Sequence, residues 1–423
     1  MSHSLRLRFG LCAILAVVVA AILAGSASAA VLTVCTTGPP ACQYSSIADA
    51  VAASANGDVI LIGSGSFAGG FTITTDVTLV GSGAGSTQIA GGATGVTVAP
   101  GADVIIRQLM ISGATDTGVV NDGTLVIRRS TISGNGSGFG AGVAGGIRNT
   151  ATLTLFGVTV SDNHGEAAGA LDNHGSAVIT GSTFAHNDAA FNAGAIQNYG
   201  DVTFRDGTIS DNGSQGAGSW NMAGSMTIID SLLSGNSGGN NFGAIANDAS
   251  LVVRRSTFTA NGGFRGGAVA NLDTGSATLF DSLIESNDAR DGGGILSSGS
   301  LTLGNTNVLS NTADNGGGIE IVDGSLVVRD SSISGNEAND AFGYGGGVLV
   351  EQGDATIART TIEANTAPNG GGIANRPLGN LTLRFDFIAF NTAVTGGGVL
   401  NEGGLSQVGN TFTGNVGGDC VGC

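Results

Sequence analysis

Apolar residues recur along this chain in short alternating stretches, not in helical periods. The clearest stretch is a hexad with an apolar residue third and Asn sixth, as in Ser130-Thr131-Ile132-Ser133-Gly134-Asn135 and Gly207-Thr208-Ile209-Ser210-Asp211-Asn212. Twelve copies end at Asn135, Asn163, Asn187, Asn212, Asn236, Asn261, Asn287, Asn311, Asn336, Asn365, Asn391 and Asn415, spaced 24 to 29 residues apart. A further copy ends at Ala114, where the Asn is missing. A second stretch runs in phase, with small residues before an apolar one, as in Gly243-Ala244-Ile245 and Gly293-Gly294-Ile295, often with Asn two positions later. A third, such as Leu251-Val252-Val253 or Leu301-Thr302-Leu303, falls between them. Such alternation is the signature of half-buried strands, and no period leaves room for an amphipathic helix.

Three short strands per period, each stacked on its copy in the next, make a parallel β-helix of about 14–15 coils. Equivalent positions then lie ~4.8 Å apart along one axis. An inward Asn repeated in every coil predicts a ladder, its amide bonded to the coils on both sides. A leucine-rich repeat shares this period. However, the residue two after the Asn is usually Ala, Gly or Asp, and the second half of each period is Gly-rich. Near the N-terminus, Ser46 and Asp49 read as a capping box before Ala50, Val51, Ala52 and Ala53, with Asn56-Gly57 as the stop. A short helix there would cover the open end of the core. The expected organisation is a signal peptide at 1–29, an N-terminal cap with this helix at 30–58, β-helix repeats at 59–415 and a C-terminal cap at 416–423.

The helix followed by Gly57-Asp58-Val59-Ile60-Leu61-Ile62 and then Val77-Thr78-Leu79-Val80-Gly81 resembles the entry to pectate-lyase-like right-handed parallel β-helices. The repeated Gly-Gly-Ala/Gly-Ile element with Phe/Ile-x-x-Asn is similar to the repeat of polymorphic outer-membrane proteins. The resemblance covers nearly the whole chain after the signal segment and implies an all-β, right-handed, single-stranded solenoid. That fold hosts lyases, glycoside hydrolases and adhesins, so it does not choose among them.

Composition fits an apolar rod. Hydrophobic residues are 41%, Gly is 75 residues and Pro only 5, which excludes both a disordered chain and collagen. Every basic residue is Arg, and the formal charge is −17. An acidic surface repels phosphate backbones, so nucleic acid is excluded as a partner. Arg6 and Arg8, the apolar run Leu11 to Leu23 and Ala27-Ser28-Ala29 read as a secretory signal. Its removal leaves no transmembrane segment, and the protein is expected to be secreted or held at a cell surface. Four cysteines then remain, Cys35 with Cys42 and Cys420 with Cys423, and two local disulfides at the ends are expected.

Candidate chemistry is sparse. Asp162, His186 and Asp211 directly precede the ladder Asn on three consecutive coils and form the candidate catalytic column, because a His between carboxylates can serve as acid or base. Arg107, Arg128, Arg205, Arg254, Arg329 and Arg384 form another column, with Asp206, Asp230, Asp281 and Asp330 beside it, expected to make surface ion pairs. The turn Asn287-Asp288-Ala289-Arg290-Asp291 is acidic enough to consider Ca²⁺, although no cofactor and no metal site is expected. Tyr199, Trp220, Phe242, Phe264 and Tyr344 lie in or beside the Gly-rich loops on one flank, the expected ligand-facing side. The regular coils favour an adhesin-like binding or structural role, with glycans or a cell surface as partner, over an enzyme. An extracellular polysaccharide lyase or glycoside hydrolase is the alternative.

Overall fold

In the computed structural model, which describes residues 29–136 and 144–423, the chain winds into an all-β, right-handed parallel solenoid of about 15 turns. The signal segment, apart from Ala29, lies outside the described residues. One coil shows the pattern. Ile245–Asn247, Ser250–Arg254 and Thr257–Thr259 form its three strands. Each pairs in register and in parallel with the next coil, Ile245 with Val269, Ser250 with Ser276 and Thr257 with Leu283. First and second strands of successive coils join into a 29-stranded sheet, and third strands form one of 15. Beyond the three expected strands, a shorter fourth follows the Asn in blocks of three and four coils.

Alternation fills the interior. Ile245, Leu251, Val253 and Phe258 point inward and are fully buried, as are most of their copies along the rod, while in the last coil Leu405 and Phe412 are partly buried and Gln407 is exposed. Each such side chain contributes roughly 1.5–3 kcal/mol. The coil turns two corners on residues with left-handed backbone, Arg255 (φ 47°) and Ala260 (φ 54°). The same corners fall at Asp206, Asp230, Asp281, Asn305 and Asp330 and at Asp162, His186, Asp211 and Ser286. Asp, Asn and His tolerate this conformation better than most residues.

Behind each corner stands an inward polar residue. The Asn261 amide nitrogen Nδ2 donates both to Asn287 Oδ1 (2.9 Å) and to Leu233 O (2.9 Å), the coils after and before it. The backbone N–H of Asn261 also donates to Asn287 Oδ1 (3.0 Å). This unit repeats from Asn135 to Asn391, and Asn415 closes the file by donating to Asp419 Oδ1 (2.9 Å). At the other end, the N–H of Ala114 donates to Asn135 Oδ1 (3.1 Å), so the coil without Asn still supplies a donor. At the other corner, Ser231 N–H donates to Ser256 Oγ and Ser256 N–H to Ser282 Oγ. Further along this file, the buried Asp386 accepts from Thr360 N–H (2.9 Å) and Arg384 N–H (2.8 Å).

A second amide file runs through the first strands. Asn121, Asn149, Asn173, Asn198, Asn221, Asn247 and Asn271 each donate to the next, ending on Ser297 Oγ. Ile321 and Val350 take the next two places, and the file resumes from Asn375 to Asn401. Val350 offers no donor to Asn375, whose buried Oδ1 has no hydrogen-bond partner among the described residues.

The glycine before each first strand is required by close approach. A Cβ on Gly243 would strike the carbonyl of Gly267, and one on Gly293 the carbonyls of Thr312 and Gly317. The left-handed glycine is the residue before that position, such as Gly266 or Gly292.

The ends are capped. The helix Ile47–Ala53 starts on Ser46, whose Oγ accepts from Asp49 N–H, and buries Ile47, Ala50 and Val51. Val31–Val34 pairs with Val59–Ile62, so the sheet begins before the helix. Cys35 is bonded to Cys42 and Cys420 to Cys423. Among the described residues no helix is long and apolar enough to cross a membrane.

Candidate functional site

Outside the core, the first strand of each coil carries one outward residue between its two inward ones. In-register pairing stacks these into a file that includes Arg148, Asp172, Gln197, Trp220, Ala246, Ala270, Leu296, Glu320 and Leu349. The Gly-rich loops rise on one side of the file, and the turns after the first strand rise on the other. Between them lies an open groove of about 830 Å³ running along the rod. Leu296 and Glu320 form its floor. Phe242, Arg265 and Asp291 form one wall, and Asp248, Asp273, Ser298, Val322, Glu351 and Leu378 belong to the other. It crosses six coils, roughly 25 Å at the strand spacing.

At the N-terminal end of the groove, Trp220 meets Phe242 edge to face with centroids 5.5 Å apart. The indole Nε1–H donates to Asp248 Oδ2 (2.7 Å), tying floor to wall. Of the five aromatic residues expected on this flank, Phe242 lines the groove and Trp220 braces it. Tyr199 stacks on His174 (4.7 Å), Phe264 lies under Arg290 (4.9 Å) and Tyr344 under Arg376 (4.0 Å).

Glu320 is the chemically unusual residue. It is 7% exposed, and its Oε2 has no hydrogen-bond partner among the described residues. Burial pushes its carboxyl up to about 8, and Asp291 and Glu351 push the same way. Arg265 and the Gly292 amide oppose them without prevailing. Asp291 is raised too, chiefly by burial. Asp172, further along the same file, is also buried and raised, but both its oxygens are engaged. His174 Nε2 lies 3.0 Å from Oδ2, and Gln197 Nε2 donates to Oδ1 at 3.2 Å.

The candidate catalytic column lies elsewhere, at the corner before the ladder Asn. His186 and Asp211 approach to 3.9 Å, both solvent-exposed, while His164 pairs with Asp188 (2.9 Å) and His174 with Asp172. The three histidines thus belong to three separate pairs. Left-handed backbone favours Asp and His at 162, 186 and 211, although Ala260, Ser286 and Phe390 hold the same corner in other coils. The expected ion pairs form one residue along from the arginine column, between Arg255 and Asp230 (2.7 Å) and between Arg359 and Asp330 (2.7 Å). Arg254 instead lies over the Phe280 ring. Among the described residues no three His, Cys, Asp or Glu side chains are grouped to hold a metal ion. The turn 287–291 contributes Asp291 to the groove wall.

Glu320 and the groove were not singled out from the sequence, although Ile319-Glu320-Ile321 carried a signal. The alternation gives only an outward direction, since Arg148 at the same place in its coil is exposed while Glu320 is buried.

The fold and this groove define a right-handed β-helix protein. Residues 141–312 match the family model described as the right handed beta helix region. No curated protein matches the chain. Among solved structures, the chain is similar to a mannuronan C-5 epimerase A-module of Azotobacter vinelandii (14% identity, 88% of this chain and 92% of that one covered, TM-score 0.36). It is also similar to a mannuronic acid specific polysaccharide family 6 lyase from human gut microbiota (11%, 90% and 83%, 0.40). A third similar structure is a pectin methylesterase of Erwinia chrysanthemi (13%, 60% and 78%, 0.32).

Proposed function

We propose that the protein is an exported, rod-like glycan-binding protein, released or held at a cell surface, that engages extended saccharide chains in the groove over coils 242–378. The carrying observation is the groove itself, elongated along the rod, with an aromatic pair at one end and carboxylates and short apolar side chains along its length. Aromatic and apolar surfaces pack on sugar C–H faces, and carboxylates accept from hydroxyls. Binding to an immobilised polysaccharide panel tests this. Phe242→Ala with Trp220→Ala should abolish binding, and Phe156→Ala, on the second-strand column, should leave it intact. A panel with no binder, or binding indifferent to the groove variants, would remove the reading.

A second reading, hydrolysis of the bound chain, is favoured by one observation, two carboxyls, Glu320 and Asp291, lining the same groove, with burial pushing Glu320 up to about 8. New reducing ends released by the wild type and not by Glu320→Gln would establish it. Binding without release would leave the protein a binder.

A further inference from the structure

We propose that the groove is specific for polysaccharides bearing free amines, with an ammonium group seated against Glu320 between Asp291 and Glu351. The proposal rests on the groove being a glycan site and names the class of glycan. Charge is the first ground. Asp248, Asp273, Asp291 and Glu351 line the groove around the uncharged Glu320, and Arg265 is the single cation among its described lining residues. A uronate chain would meet repulsion along the groove's length, whereas a polyamine chain meets attraction in a partly desolvated site.

The second ground is the orphaned Oε2 of Glu320, more than nine-tenths buried and without a donor. Asp172 in the same file has a partner on each oxygen, and the other buried atoms without one among the described residues, Asp116 Oδ1, Ser219 Oγ and Asn375 Oδ1, lie outside the groove lining, so Glu320 alone among them faces a cavity that a ligand can enter. A buried acceptor without a partner is destabilising, and a ligand donor would relieve it.

The two possible donors behave differently. A hydroxyl leaves the Glu320 proton in place. An ammonium offsets the burial and the negative neighbours Asp291 and Glu351, which Arg265 and the Gly292 amide alone do not. Its arrival therefore ionises the carboxyl. The O–H bond of Glu320 breaks, its proton passes to buffer, and the carboxylate pairs with the ammonium, which keeps its own protons. Binding an amine chain releases a proton, and binding a neutral chain does not.

The experiment is calorimetric titration of the full chain at pH 5.5, where both the sugar amines and the free-state Glu320 carboxyl carry their protons, with a glucosamine oligomer and with its fully N-acetylated counterpart. Two buffers of different ionisation enthalpy count the protons. The amine oligomer should bind about ten-fold tighter or better and release about one proton per site occupied. Glu320→Gln should lose the release and most of the preference, while Asp291→Asn should weaken the preference and keep the release. Equal affinity for both oligomers, no proton release, or release that persists in Glu320→Gln would overturn the proposal. Equal affinity would leave glycan binding standing, whereas failure of the whole polysaccharide panel would remove the site itself.

Discussion

Asn261 Nδ2 and Asn287 Oδ1, 26 residues apart in sequence, sit 2.9 Å apart in the core. Asn261→Leu would strand two donors of Asn236 and remove the side-chain donor to Leu233 O, while Asn287 Oδ1 keeps only the backbone N–H of residue 261. At about 1–3 kcal/mol for each buried group, the melting temperature should fall by about 5 °C or more. Gly262→Ser, one residue later, meets only Asp288 O at 3.6 Å and should shift melting by about 1 °C or less. Thermal denaturation of both variants checks the contrast, and equal shifts would refute the ladder's role.

Gly293 and Gly294 should differ in their tolerance of a methyl group. Ala already occupies the second position in other coils, at Ala170, Ala195, Ala244 and Ala268. An added carbon meets next-coil backbone at both positions, but from Gly294 it meets the single carbonyl of Gly318, whereas from Gly293 it is wedged between the carbonyls of Thr312 and Gly317. Gly293→Ala should therefore unfold at clearly lower denaturant than Gly294→Ala, measured by chemical denaturation.

Glu320 makes stability depend on pH. Its folded pKa of about 8 lies above the unfolded value near 4.5. Its contribution is full below about pH 4.5 and is lost as pH rises through about 8. Glu320→Gln should change melting little at pH 4 and raise it relative to wild type at pH 8 to 9. A wild-type advantage at pH 9 would contradict the buried neutral acid. Asp386, raised to about 6 by burial, gives a second, lower window in the same direction, between about pH 4 and pH 6.

The disulfide between Cys35 and Cys42 closes the loop leading into the capping helix. Reduction, or Cys35→Ser with Cys42→Ser, should expose residues before Ile60 to limited proteolysis first and leave the central coils resistant. Cleavage beginning in the central coils would show that the cap is not the weak end.

The coil was legible in sequence because a solenoid writes its packing periodically. Ile132, Val160, Phe184 and their copies mark one inward file, and Asn135 and its copies another. The helix at Ile47 was legible from its cap. The groove was not, because it is built from non-repeating positions. Nothing in the spacing of Asp248, Arg265, Asp291, Glu320 and Glu351 places them together until the coils are stacked in register. Column reasoning also favoured Asp162, His186 and Asp211, where periodic Asp reflects a backbone corner as readily as chemistry. The second amide file was visible only as a frequent Asn, since its interruption at Ile321 and Val350 hid its continuity.

That interruption has a mechanical consequence. Side-chain zippering fastens the rod along two stretches, one closing at Ser297 and the other opening at Asn375, with a greasy splice between them. Fraying that enters from either tip meets a natural firebreak at the splice, so one half can loosen while the other stays wound. The groove straddles that joint, and a chain lying in it would act as a splint across the stretch where the rod lacks its second amide seam.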